Sequence, residues 1–298
     1  MASKRAKFVN SFLRVTSNKK GYKLDRISWH RKKFARDLNL IFPSFGFKKI
    51  PQQKIAGVNT AWFMPPTKTD RTILYIHGGG FVFGSLKTHH QHTARLARLC
   101  KANVLAVDYS LSPENPYPAA LDELLNVWQE IIKNIDITKT AIMGESAGGN
   151  LAMALLLKIR EAGLPQPACA VLLSPALDAT FSGESYERNK LKDPILNMLK
   201  LNFFLDAYVG NMDKHNPFIS PIFAKLDGLA PILVHAGSDE ILLSDSETIA
   251  ENAKRDNADI TLLIAKSMWH GWHLFAFYVP EAKAAMKQVA EFFKNHTN

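Results

Sequence analysis

The 298-residue chain has only two cysteines, Cys100 and Cys169. Two thiols cannot build a disulfide framework, and neither sits in a CxxC or Cys/His ligand pattern, so no cysteine-based metal site is indicated. They read as buried thiols behaving as small hydrophobes. Such usage is compatible with a reducing compartment, and a cytoplasmic location is the expectation. No run of about 18 or more apolar residues occurs, so no integral membrane segment is expected. Internal repeats and low-complexity stretches are also missing.

Acids are scarce at the start of the chain. Met1 to Lys54 hold 15 Lys and Arg against Asp25 and Asp37 alone, whereas the remainder holds 22 basic and 25 acidic residues. The basicity therefore belongs to the N-terminal segment. Such a charge can attract an anionic membrane or nucleic acid. No nucleic-acid motif accompanies it, so no nucleic-acid partner is expected and a solvated helical face is the preferred reading. Peripheral membrane contact through this segment stays open. The acid-free first 24 residues bear a faint likeness to a transit peptide, and the patch Phe8, Val9, Phe12, Leu13, Val15 is too short for a secretory core. The patch fits one face of an amphipathic helix, expected to pack on the body of the protein.

The first 50 residues read as helical and basic, with a break around Pro43 to Gly46. From Lys48 the character becomes strand-like, as in Val58–Met64. Short apolar runs then alternate with helical patterns. The runs are Thr72–Ile76, Val104–Val107, Ala141–Met143, Ala170–Leu173, Ile232–His235 and Ile260–Ala265. Thr88–Cys100, Ala119–Ile132, Ala147–Ile159, Ser244–Arg255 and Ala282–Lys294 read as the helices between and after them. This spacing predicts an α/β fold with a mostly parallel sheet, its strands buried on both faces. Between about Ala179 and Pro217 the alternation stops, and a helical insertion is expected.

Chemistry enters at Gly144-Glu145-Ser146-Ala147-Gly148, directly after an apolar run. This is the G-x-S-x-G pattern of a strand that turns sharply into a helix and projects a serine hydroxyl above the sheet. Glycines flank the serine because the turn leaves no room for side chains there. A second signal, His77-Gly78-Gly79-Gly80-Phe81, follows the run Thr72–Ile76. Its glycines can aim backbone N–H groups at a tetrahedral oxyanion, and the N–H of Ala147 would join them. A phosphate loop is the competing reading; it fails for lack of GxGxxG or a P-loop lysine.

A serine nucleophile needs a histidine base oriented by a carboxylate, in the chain order Ser, acid, His. Asp239, just past Ile232–His235, is the preferred acid, with Glu240 and Asp245 as rivals. His270, just past Ile260–Ala265, is the preferred base, with His273 and His235 as rivals. His270 is favoured because it lies nearer a strand end, where sites in such sheets gather.

These residues carry a family resemblance. HGGGF at 77–81, Asp108-Tyr109-Ser110-Leu111-Ser112-Pro113-Glu114, Tyr117-Pro118-Ala119-Ala120, the run from Gly144 to Asn150, Ser174-Pro175, Ser220-Pro221-Ile222, Gly237-Ser238-Asp239 and the stretch Trp269–Phe275 recur together. The sequence resembles the hormone-sensitive-lipase-like branch of the α/β-hydrolases, which includes many bacterial esterases. Ser110 and Ser112 depart from the family's usual Arg and Ala. The resemblance implies an eight-stranded sheet under a helical cap, the cap formed by residues 1–47 and the insertion at about 179–217, with residues 48–298 as the catalytic domain. It implies hydrolysis of carboxylic esters with short to medium acyl chains and no cofactor or metal. His77, Glu114 and Glu145 are expected to support the reacting groups from behind, and Phe81, Phe203 and Phe204 to line the pocket. The partner is then a small-molecule ester, and the protein a monomer or homodimer. An amidase, lactonase or arylformamidase on the same machinery is the alternative, followed by a non-catalytic ligand-binding protein.

Overall fold

The computed structural model describes residues 2–17, 21–42 and 51–297. The break expected around Pro43 to Gly46 lies outside the described residues. Two helices come first, α1 (Lys4–Thr16) and α2 (Ile27–Ile41). Eight strands follow: β1 (Gln52–Ile55), β2 (Val58–Phe63), β3 (Thr72–Ile76), β4 (Asn103–Asp108), β5 (Thr140–Glu145), β6 (Cys169–Leu173), β7 (Ile232–Gly237) and β8 (Ile260–Ala265). Between and after them run α3 (Leu86–Cys100), α4 (Ala119–Ile131), α5 (Ala147–Glu161), α6 (Ser185–Arg188), α7 (Met198–Tyr208), α8 (Leu243–Arg255) and α9 (Pro280–His296).

The strands form one sheet in the order β1-β2-β4-β3-β5-β6-β7-β8. β1 and β2 pair antiparallel with each other, as do β2 and β4; every pairing from β4 to β8 is parallel. The reason lies in composition: β3, β5, β6 and β7 are buried at every position, as continuous apolar runs in a doubly covered sheet must be. Alternate side chains feed two cores. Leu74 and Ile76 join Trp128, Leu121 and Leu151 beneath α4 and α5, while Ile73 and Tyr75 join Leu96, Val289 and Phe293 beneath α3 and α9. Cys100 and Cys169 are free and buried, and burial pushes both thiols up to about 12.

The parallel strands end on one side, and the turns that leave β3, β5, β7 and β8 bring the glycine loop, the serine, the acids and the histidine to that rim. Above it lie α1, α2 and the 179–217 insertion, which carries α6 and α7. The amphipathic patch of α1 divides. Ala6 and Leu13 are buried, with Val9 packed beside them, against Met268, Trp269, Trp272 and Phe275 around the histidine. Phe8, Phe12 and Val15 instead face outward, because residues at positions 8, 12 and 15 share a different stripe from 6, 9 and 13. The start of α1 is fixed by Ser3, whose N–H and Oγ donate to Glu281 of α9 at 2.5 and 2.9 Å. Among the described residues no helix is long and apolar enough to cross a membrane.

Candidate active site

Ser146 sits between β5 and α5 at φ 55°, ψ −120°, a backbone conformation that costs a non-glycine residue of order 1–3 kcal/mol. The neighbours show why the turn accepts it. A Cβ on Gly144 would stand 2.0 Å from the carbonyl oxygen of Gly148, and one on Gly148 would stand 2.2 Å from that of Ile76. The strained serine is pinned by its own N–H, which donates to Leu173 O at 2.9 Å. Its Oγ lies 2.8 Å from Nε2 of His270.

On the far side of the imidazole, Nδ1 of His270 lies 3.4 Å from Oε2 of Glu240, not from Asp239. Glu240 is fully buried; its Oε1 accepts from Ser174 Oγ at 2.7 Å and from the Gly237 N–H at 2.5 Å. Asp239 points the other way. Its carboxylate accepts from Ser238 Oγ, and the residue lines a surface hollow with Arg14 and Lys266. The N–H of Asp239 is bound to Met268 O at 3.0 Å, so the turn after β7 sends residue 239 outward and residue 240 inward. The preference for Asp239 is therefore corrected to its rival one position later.

The other rivals lie elsewhere. Asp245 accepts from the N–H groups of Leu177 and Asp178 and from Tyr186 Oη, which ties the insertion to α8. His235 and His273 are buried against each other, ring centroids 5.5 Å apart, and neither touches Ser146.

Burial pulls the His270 imidazole down, but the hydrogen bond and charge of Glu240, joined by the charges of Asp193 and Glu145, more than reverse this, and its pKa is raised above the ordinary value. Burial drives Glu240 upward, opposed by the hydrogen bonds from His270 and Ser174.

Gly79 and Gly80 line the cavity beside Ser146, at φ 120° and 62°. Among the described residues neither N–H finds a protein acceptor, and the N–H of Ala147 opens α5, where no carbonyl of the helix can reach it. All three residues line the cavities that meet at Ser146. Gly78 stands behind them: a Cβ there would lie 2.5 Å from Oε2 of Glu145. Unlike Gly79 and Gly80, it does not line the cavity that holds Ser146.

His77 and Glu145 are both buried, next to the glycine loop and the serine in sequence. The His77 ring stacks between Tyr109 and His89, and burial pushes its pKa down to about 3, so it is neutral. Glu145 is buried with its Oε2 3.5 Å from Nε2 of His89; burial raises its pKa, but His89, with His270 and His92, outweighs this and the net shift is downward. Glu114 does not reach the reacting groups. It is half-exposed and holds Arg31 of α2 through two hydrogen bonds of 2.8 and 2.7 Å. Arg31 also donates to Val82 O and Ser112 O, so this pair ties α2 to the glycine loop. Ser110 is held by Glu123 through its N–H and Oγ.

Two cavities meet at the serine. The larger, about 580 Å³, contains His270, Gly271, Gly79 and Gly80, and its outer wall is built from α1 and α2. The smaller, about 60 Å³, lies beside Ala147 and Asn150 and is walled by Phe81, Phe181 and Tyr208. Phe204 and Gly80 belong to both, with the phenyl ring packed over the glycine. Phe81 lies flat on Tyr208, ring centroids 3.8 Å apart. Phe203 lines neither cavity and packs on Tyr22. Sequence reasoning had no signal for the N-terminal wall residues Tyr22, Phe34 and Leu38, nor for Lys200. The Lys200 ammonium is buried in that wall, donates to Ser17 Oγ and Ile195 O, and is pulled down to about 8 by burial. Among the described residues no group of three His, Cys, Asp or Glu side chains is placed to hold a metal ion.

Known proteins resemble this chain over most of its length. A family model described as alpha/beta hydrolase fold matches residues 73–274. An esterase of Acinetobacter venetianus is 35% identical over 254 residues, which is 85% of this chain and 84% of that protein. An acetyl-hydrolase of Streptomyces hygroscopicus is 30% identical over 258 residues, 85% of this chain and 86% of that one. The crystal structure of an esterase from the bacterial hormone-sensitive lipase family superposes with a TM-score of 0.92 at 31% identity, covering all of both chains.

Proposed function

The chain belongs to the α/β-hydrolase family, among the bacterial esterases of the hormone-sensitive-lipase type, and is a carboxylic-ester hydrolase; from that premise we propose how its own residues act and which esters it prefers. Ser146 is the nucleophile, His270 the general base and Glu240 the carboxylate that orients the imidazole. The carrying observation is the continuous relay from Ser146 Oγ to His270 Nε2 at 2.8 Å and from His270 Nδ1 to Glu240.

Attack of Ser146 Oγ on the ester carbonyl forms the acyl C–O bond while His270 takes the hydroxyl proton. The N–H groups of Gly79, Gly80 and Ala147 bind the resulting oxyanion. Collapse breaks the bond to the alcohol oxygen, and His270 returns the proton to that oxygen. Water then repeats the sequence on the acyl-enzyme and frees the acid.

The proton return assigns the two cavities. The leaving oxygen must lie within reach of His270 Nε2, and His270 lines the larger cavity alone. The alcohol part therefore occupies the larger cavity and the acyl chain the smaller. A narrow acyl pocket beside a roomy alcohol pocket suits short acyl groups on bulky, mostly apolar alcohols. The two N-terminal helices and the 179–217 insertion act together as the cap over both.

Hydrolysis of p-nitrophenyl esters from acetate to palmitate, by wild type and Ser146→Ala, tests the reading. Turnover should peak at the shortest chains and fall by about six orders of magnitude in the variant. A folded wild type that cleaves amides but no ester would reject it.

A further inference from the structure

Large hydrophobic side chains left in water gather around the mouth of the larger cavity. On α1, Phe8, Phe12 and Val15 form one stripe, 73%, 47% and 85% exposed. On α2, Trp29 and Leu40 are 58% and 74% exposed and share a stripe with Lys33 and Arg36, since 29, 33, 36 and 40 recur at helical spacing. Leu191 and Leu199 of the insertion, 79% and 61% exposed, extend the face. They adjoin the end of α1, because Arg14 donates to the carbonyls of Leu191 and Lys192 and Gly21 abuts Leu199. Phe12 and Leu40 also line the cavity, so the apolar face surrounds its opening.

The same two helices are strongly cationic. Lys4, Arg5 and Lys7 on α1 and Lys32 and Arg36 on α2 are exposed. Of the only two acids before Lys54, Asp37 is already paired with Lys33 and Arg36. Exposed aromatic and aliphatic groups interleaved with cations need a partner that is anionic at its surface and apolar just beneath. An anionic lipid bilayer has both layers. Nucleic acid offers no apolar layer on its outer surface, and a second copy would set two cationic faces against each other.

We propose that α1, α2 and the adjoining insertion form a peripheral docking face for anionic membranes, with the cavity mouth turned toward the lipid. The docking does not depend on the hydrolytic assignment, and binding is read without activity. Trp29 is the exposed one of the five tryptophans and reports insertion directly.

The full chain would be sedimented with vesicles of phosphatidylglycerol and phosphatidylcholine, and with pure phosphatidylcholine, at about 0.1 M salt. Wild type should sediment with the anionic vesicles and stay in solution with the neutral ones. Tryptophan emission should shift to the blue and be quenched by brominated lipid in the anionic vesicles. The triple variant Phe8→Ser, Val15→Ser, Trp29→Ser should bind at least about tenfold more weakly while keeping its turnover of a soluble acetate ester. Wild type that stays in solution with anionic vesicles, binding without quenching, or retention on duplex DNA instead of vesicles at the same salt would each overturn the proposal. Undiminished vesicle binding by the folded triple variant would do so too.

Discussion

Nδ1 of His270 faces Oε2 of Glu240 across 3.4 Å, while the adjacent carboxylate of Asp239 looks into a surface hollow beside Arg14 and Lys266. Neighbouring acids thus have opposite surroundings, and single substitutions separate them. Glu240→Gln keeps the shape but removes the charge that stabilises the imidazolium, and should cost about four orders of magnitude in kcat. Asp239→Asn should leave kcat within about twofold, because surface substitutions away from special features change little. Steady-state kinetics on one short ester decides the matter; the reverse ranking would return the role to Asp239.

The same contact fixes a pH dependence. Catalysis needs His270 unprotonated, so kcat/KM should rise with pH through the histidine's pKa. Burial lowers that pKa, but Glu240, with Asp193 and Glu145, raises it on balance, so the acid limb should lie above the ordinary histidine value. In Glu240→Gln the raising charge is gone and burial remains, so the residual activity should show its limb displaced toward lower pH. A pH–rate profile of both enzymes provides the check, and an unmoved limb would mean that another group controls it.

Asp245 links the insertion to α8, and burial pushes its carboxyl up to about 8 despite three donors. An acid with a raised folded pKa binds more protons folded than unfolded, so its contribution to stability is greatest below the ordinary carboxylate value and is lost as pH rises toward 8. Asp245→Asn should fit the same site, since its Oδ1 can accept from Leu177 and Asp178, and Tyr186 Oη has a second acceptor in Asp178 O at 3.3 Å. The cost at pH 5 should be under about 1.5 kcal/mol. Urea midpoints measured from pH 5 to 9 should show wild type losing ground to the variant. A pH-independent difference would mean that Asp245 is ionised throughout in the folded protein.

The sheet was legible because its order rests on local patterns. Thr72–Ile76 and Ile260–Ala265 read as strands at the bounds they adopt. Ser146 and the glycine loop were legible because steric demand forces Gly at 79, 80, 144 and 148. What the pattern could not resolve was the turn after β7. Beyond a strand end, inward or outward direction depends on distant partners, here Met268 O for residue 239 and Ser174 Oγ for residue 240. The partner of Glu114 was illegible for the same reason: Arg31 lies in α2, 83 residues earlier. The outer cavity wall escaped because nothing local to Tyr22 or Phe34 marks which side of a basic helix turns inward.

Phe204 is the partition between the two cavities, and its ring rests where a Cβ on Gly80 would stand 2.4 Å away. Phe204→Ala removes the shared wall, so the narrow acyl pocket should open into the larger space. Longer acyl chains would then reach apolar surface that the ring now blocks. The optimum across p-nitrophenyl acetate to octanoate should move to longer chains, with KM for the longer esters falling. The variant should also lose about 3–5 kcal/mol or less of stability, as for a partly buried aromatic truncation, so its fold is to be confirmed by circular dichroism first. An unchanged chain-length profile in the folded variant would reject the assignment of the acyl chain to the smaller cavity.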